Sequence, residues 1–333
     1  MTRFTRIAGL GRHLPPRVLT NQDLEGLMDT SDAWIQERTG IRERHFAADD
    51  VTCTDMAAEA ARCAMEQAGW SPGDVQFIVF ATLSPDLFFP GNGVLLQNKL
   101  GLGEIGAMDI RNQCTGFVYG LAAADGLIRM GTYDRILLIG AELQSPALRL
   151  TTEGRDTAVL FGDGAGAACL EVTDGADGSR VLNHRLHSNG KYALELCIRR
   201  PGAANRPWIA KEMIDDGTSD IHMNGRDVFR HAVTKFPAVI EEVLGDCGLT
   251  PDALTLLVPH QANLRITEAV RKRLELPEEK VYSNIQRYGN TTAGSIPIAL
   301  SEAVEEGKVR RGDLVCLASF GSGFTWAASL LRY

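Results

Sequence analysis

The chain repeats itself. Residues 55–82 (DMAAEAARCAMEQAGWSPGDVQFIVFAT) read as a helix, a turn at Gly69–Gly73 and an apolar strand from Val75 to Ala81. Residues 227–260 (DVFRHAVTKFPAVIEEVLGDCGLTPDALTLLVPH) give the same order, with a turn at Gly248–Pro251 and a strand over Leu254–Val258. Setting Ser71-Pro72 on Thr250-Pro251 gives an offset of 179 residues. Residues 116–140, a helix followed by the strand ILLIG (Ile136–Gly140), match residues 294–318, a helix followed by LVCLA (Leu314–Ala318). Ile136 falls on Leu314 at an offset of 178. Two matches at nearly one spacing indicate a duplicated α/β unit.

The apolar strands lack polar alternation, so helices are expected on both faces of each sheet. One half is placed near residues 1–172 and the other near 218–333. The segment between, 173–217, is polar, Gly- and Arg-containing and irregular, and is expected to shape the mouth of a site. Ligands in such sheets bind beyond the carboxyl ends of the strands, so two related halves should direct their strand-end loops toward one place.

Composition removes several classes of function. The 333 residues, 44% hydrophobic and 23% charged, suit a globular chain too large for one ordinary core. Forty-two acidic against 34 basic residues give a net charge of −8, which argues against a nucleic-acid or anionic-membrane partner. The seven cysteines are dispersed, with no C-x-x-C pair, so neither a disulfide framework nor a zinc ribbon fits. No apolar run approaches the length of a membrane span, and the N-terminus has no apolar signal core. A cytoplasmic location is expected.

Three strand-end residues stand out. Cys114, in DIRNQCTGFVYGLAAADGLI, follows a strand and a short turn and opens a helical pattern. A helix N-terminus favours a thiolate, although a buried structural cysteine is the plainer alternative. His260 closes the strand LTLLVPH, and its repeat counterpart is near Ala81. Asn290 sits in the Gly-Asn turn of RYGNTTAGSIP, where turn or cap chemistry is the usual role. The offset of 178 nevertheless sets Cys114 on Thr292, two residues from Asn290. The three therefore occupy converging loops.

Other patterns carry less. FGDGAGAACLEV (161–172) contains G-x-G-x-G, but a strand follows it, so close packing explains it better than a dinucleotide site. His184 and His187 have no further ligand cluster near them, and no metal is expected. The basic run RKRL (271–274) is either a solvated face or a dock for an acidic carrier.

Together, TSDAWIQERTGIRERH (30–45), QCTGF (113–117), FGDGAGAA (161–168), VPHQANLRI (258–266), GNTTAGSIP (289–297) and FGSGFTWAASLLRY (320–333) make the chain resemble the beta-ketoacyl-(acyl-carrier-protein) synthase III family of the thiolase superfamily. The resemblance implies a five-layered αβαβα thiolase-like fold, a homodimer, and a catalytic set of Cys114, His260 and Asn290. It implies an acyl-coenzyme A primer loaded on Cys114 and condensed with malonyl-acyl carrier protein after decarboxylation. No metal or other cofactor is implied beyond coenzyme A thioester as substrate. Backbone N–H groups of Cys114 and Ser322 would form the oxyanion hole.

By the same resemblance, Trp34 and Arg155 should sandwich the adenine, and Arg38, Gly225, Phe229 and Asn263 should line the pantetheine channel. Arg265, with Arg230, Lys272 and Arg273, matches a carrier-docking patch. Phe89 matches the residue that closes the partner's acyl pocket. The chain departs from the family at Gln113, where a small residue beside the acyl pocket is usual and the larger side chain is expected to alter that pocket or the thiol's surroundings, and at Ser322, which replaces a glycine. The 183–212 segment also looks longer. These departures keep a second function in view, a Cys-dependent acyl transfer or thioester hydrolysis without carbon–carbon bond formation.

Overall fold

The computed structural model, which describes residues 2–333, resolves the repeat into two stacked sheets. The first holds β1 (Phe4–His13), β2 (Phe77–Ala81), β3 (Gly106–Ile110), β4 (Arg135–Glu142) and β5 (Gly164–Thr173), in the order β1-β5-β4-β2-β3. The second holds β6 (Arg180–Ser188), β7 (Leu256–Pro259), β8 (Leu314–Gly321) and β9 (Thr325–Arg332), in the order β7-β8-β9-β6. Where β3 would have its counterpart, a single parallel bridge joins Leu257 to Val281.

Strand register fixes the repeat. Phe77 lies opposite Ile136 in one parallel pair, and Leu256 opposite Val315 in the other. One offset of 179 therefore relates both strands, and the 178 read for the second pair is one residue short.

Alternation along each strand divides the core into layers. Ile78 and Phe80 face outward from the first sheet onto α1 (Cys53–Ala68), while Val79 faces inward. Helices α2 (Gly116–Arg129) and α5 (Ser295–Glu305) fill the space between the sheets with Phe117, Leu121, Ile296 and Leu300. Both are apolar around much of their circumference, as a helix between two sheets must be. Helices α3 (Gly225–Gly245) and α4 (Leu264–Arg273) cover the far face of the second sheet. The result is the expected five-layered thiolase-like stack. Local signals agree: α1 opens on a Thr52–Asp55 capping box and stops at Gly69, whose φ of 69° is left-handed.

The connector is less irregular than expected. Residues 180–188 form β6, an edge strand paired with β9, so regular structure of the second sheet begins well before residue 218. We propose a division in which the second half starts with this strand. His184 and His187, an odd number of positions apart, face opposite sides of it. His184 lies between Ser329 Oγ (2.7 Å) and the buried Asp125 carboxylate (3.3 Å), and His187 pairs with Glu242 at 2.6 Å. Each imidazole thus has its own structural partners.

Candidate active site

The nucleophile candidate stands on a sharp turn. Residues Gln113–Thr115 form one 3₁₀ turn that runs directly into α2, and Gln113 adopts a left-handed φ of 46°. Its counterpart 179 residues later, Thr292, has a φ of 47° in the turn that leads into α5. Left-handed backbone at a non-glycine residue costs about 1–3 kcal/mol, so both elbows are held by their surroundings. The register also corrects the expected pairing. Cys114 superposes on Ala293, not Thr292, and Asn290 on Arg111.

Cys114, His260 and Asn290 line one cavity of about 140 Å³, with Phe161, Leu196 and Phe320 among its walls. Each arrives from a different loop. His260 follows β7, and its N–H donates to Ala318 O at 2.8 Å. Asn290 is bridged to Phe161, with its N–H on Leu160 O at 2.8 Å.

The polar ends are oriented. His260 is buried, its Nδ1 lies 2.6 Å from Ser295 Oγ, and its buried Nε2 has no hydrogen-bond partner among the described residues. Burial pulls its pKa down to about 3, so the ring is neutral at ordinary pH. Ser295, as a hydroxyl, can donate to Nδ1 or accept from it, which holds the ring in place in either neutral tautomer. Asn290 Oδ1 accepts the Thr292 N–H at 2.9 Å, which leaves the carboxamide Nδ2 as its donor.

Burial dominates the thiol. The Cys114 pKa is pushed up to about 12, first by burial and then by the negative charge of Glu142, while the Ser322 and Cys114 backbone N–H groups pull it down. The expectation of a thiolate stabilised by a helix N-terminus is therefore corrected: desolvation exceeds the backbone contribution, and the free enzyme carries a thiol. The two N–H groups that act on the thiol in this way are those expected to form the oxyanion hole. The fit is tight on that side, since a Cβ on Gly321 would lie 2.4 Å from Cys114 Cβ and 2.7 Å from Sγ. Ser319 Oγ holds the Cys114 carbonyl at 2.6 Å.

Glu142 was not singled out in the sequence, where it merely ends the ILLIGAE strand. It is fully buried, accepts from Ser84 Oγ at 2.7 Å and Ala293 N–H at 3.4 Å, and burial raises its pKa to about 7. A raised thiol pKa has a measurable consequence. Alkylation of Cys114 by iodoacetamide, followed on its own peptide by mass spectrometry, should accelerate close to tenfold per unit between about pH 7 and 10. A plateau near pH 8.5, as for an exposed cysteine, would contradict the buried thiol.

Other expected positions divide. Gly225, Phe229 and Asn263 line the same cavity as Cys114. Asn263 also caps α4 and donates from Nδ2 to Arg38 O at 2.9 Å. Arg265 lies 5.7 Å from the Phe229 ring centroid. Arg265, Lys272 and Arg273 are exposed with no carboxylate partner among the described residues, whereas Arg230 is paired with Asp227 at 2.8 Å. Phe89 is 78% exposed beside Phe88, which packs edge-on against Trp208.

Two further positions bear on how a ligand would enter. Arg155 lies 4.7 Å and Arg38 4.6 Å from the Trp34 ring centroid. A sandwiched base needs about 7 Å between its two neighbours, so no slot is open between Trp34 and Arg155 and one cation must move aside. Gln113 is not among the cavity walls; it shapes the elbow beneath the nucleophile.

The model of the family described as 3-oxoacyl-[acyl-carrier-protein (ACP)] synthase III matches residues 108–190, and that of its C-terminal part matches residues 244–333. A beta-ketoacyl-[acyl-carrier-protein] synthase III of Xanthomonas campestris pv. campestris is 45% identical over 330 residues, covering 99% of this chain and 98% of that protein. This chain belongs to the beta-ketoacyl-[acyl-carrier-protein] synthase III family. A crystal structure of the family from Aquifex aeolicus VF5 superposes with a TM-score of 0.90 at 43% identity, over 99% of this chain and all of that one. The priming beta-ketosynthase of the R1128 polyketide pathway also superposes at 0.90, with 30% identity over 99% of this chain and 96% of its own. Among the described residues no helix is long and apolar enough to cross a membrane, and no cluster of three or more His, Cys, Asp or Glu could hold a metal ion.

Proposed function

We propose that the protein condenses an acyl-coenzyme A primer with malonyl-acyl carrier protein through an acyl-Cys114 intermediate. The observation that carries this is the shared cavity of Cys114, His260 and Asn290, in a chain of this family. In the first half-reaction Cys114 Sγ attacks the thioester, and the Ser322 and Cys114 N–H groups receive the oxyanion. His260 Nε2 takes the thiol proton and returns it to the departing coenzyme A sulfur. In the second, the malonyl carboxylate leaves as CO₂ and its electron pair moves onto the thioester oxygen. In the neutral tautomer that carries its proton on Nε2, with Nδ1 accepting from Ser295 Oγ, His260 donates to that enolate oxygen together with Asn290 Nδ2. The enolate carbon then attacks the acyl carbonyl, a carbon–carbon bond forms, and the Cys114 thiolate that leaves takes up one proton from solvent. The balance closes without metal or redox cofactor.

Arg38, Arg155 and Trp34 form the outer binding face for coenzyme A, with Gly225, Phe229 and Asn263 along the pantetheine arm. Arg265, Lys272 and Arg273 supply the exposed positive charge for an acidic carrier, with Arg230 at its margin. The exposure of Leu87, Phe88 and Phe89 supports a homodimer in which Phe89 meets the partner's acyl pocket. Seven free cysteines support a cytoplasmic location.

Incubating the protein with malonyl-acyl carrier protein and a panel of acyl-coenzyme A donors should give 3-ketoacyl-carrier products. Their absence with every donor, while Cys114 becomes acylated, would favour simple acyl transfer or hydrolysis. Reversing the charge of the docking patch with Lys272→Glu and Arg273→Glu should raise KM for the carrier about tenfold at low salt, leave KM for acyl-coenzyme A within about twofold, and lose its effect as salt rises.

A further inference from the structure

The connector returns to the reaction centre at Ser322. This residue lies in the turn between β8 and β9, and its hydroxyl donates to the carbonyl oxygen of Leu196. Its backbone N–H lowers the pKa of the Cys114 thiol, and the neighbouring Gly321 packs directly on that side chain. Leu196 and Cys197 pair with His222 and Met223 as a two-stranded ribbon, and Leu196 and Met223 both line the cavity that holds Cys114. Beyond the ribbon, Asn224 donates its N–H to Glu195 O at 2.8 Å and its Nδ2 to Glu195 Oε2 at 2.9 Å.

Other ties lie to either side of Leu196: Asn189 and Phe324 exchange backbone hydrogen bonds at 2.8 and 3.0 Å, and Tyr192 stacks on Phe324 with ring centroids 5.4 Å apart. Leu194 and Ile198, which flank the ribbon, are 67% and 41% exposed. The turn itself is fixed separately, because Thr325 Oγ1 donates to Ser322 O at 3.0 Å and lies 2.9 Å from Thr115 Oγ1. Removing the Ser322 hydroxyl would therefore release the wall at Leu196 itself while leaving the turn and the connector's other ties in place.

We propose that the Ser322 hydroxyl is a positioning group that pins the Leu196 wall against the oxyanion turn and so sets the largest acyl group Cys114 accepts. The proposal rests on the acyl-thioester function above. A glycine at this position has no side chain to make the tie. With the tie, the wall stands at a fixed distance from the sulfur and the size limit is sharp; without it, the wall yields to a longer chain.

Single-turnover acylation of the full-length protein, read as the mass of the Cys114 adduct, would be measured for straight-chain donors from acetyl- to octanoyl-coenzyme A. Ser322→Ala and Ser322→Gly should raise the octanoyl-to-acetyl rate ratio about fivefold, the factor that one net hydrogen bond carries. Ser322→Thr, which keeps the hydroxyl, should return the wild-type profile, and Leu196→Ala should shift it as the alanine and glycine variants do. An unchanged profile in Ser322→Gly, or in Leu196→Ala, overturns the proposal. Failure of the wild-type protein to form any adduct overturns the acyl-thioester function as well, whereas adducts with an unaltered profile overturn the Ser322 proposal alone.

Discussion

Cys114→Ala is expected to lower ketoacyl formation by at least about a thousandfold and to abolish the acyl adduct on the intact protein. The same variant should still release CO₂ from malonyl-acyl carrier protein. The two activities separate because the sulfur is needed only to hold the acyl group. In the proposed mechanism the enolate is met by other groups, His260 Nε2 and Asn290 Nδ2, whose positions depend on Ser295 and the Thr292 N–H. The alanine should fit, since the thiol is neutral in the free enzyme and its removal strips no buried charge of a partner. An adduct that survives the substitution would place the nucleophile elsewhere.

Asn290→Ala should give the opposite separation. Acylation by acyl-coenzyme A should stay within a few-fold of wild type, while decarboxylation and condensation fall by about a hundred- to a thousandfold, the usual loss when one preorganised oxyanion donor is removed. Rapid-quench measurement of the two half-reactions would decide it. An equal loss in both would mean that Asn290 supports the elbow through Thr292 and has no direct part in the chemistry. Because the His260 pKa sits near 3, its ionisation should not set the acid limb of the rate of the free enzyme above about pH 4.

The parts of the site that could be read from the sequence are those defined by chain position. Cys114, His260 and Asn290 each follow an apolar run and end at a turn, and the repeat directs those ends toward one place. What could not be read depends on depth. The sequence around Cys114 suggests a helix N-terminus and hence a thiolate; the closeness of Gly321 and Glu142, which reverses that, belongs to tertiary packing. The 180–188 strand escaped notice because it is an edge strand with Arg180, His184 and Arg185 among its residues, so it lacks the unbroken apolar run of the inner strands. Trp34 and Arg155 were legible as partners but not as neighbours already in contact, because a guanidinium and an indole satisfy each other without a ligand. Ser295 had no sequence signal at all, being one more serine at the start of a helix.

The one-residue correction to the repeat has a wider meaning. At 179 residues, Cys114 answers to Ala293, His260 to Ala81 and Asn290 to Arg111, so neither half contains a working copy of the other. In the proposed mechanism one lobe brings the bond-forming atom and the other the groups that manage charge. Their common wall is the pair of buried helices α2 and α5, each of which starts at one of the two elbows. A fragment holding only one lobe would therefore lose more than half of the chemistry: it would expose the greasy seam along its central helix and keep an elbow with nothing opposite it.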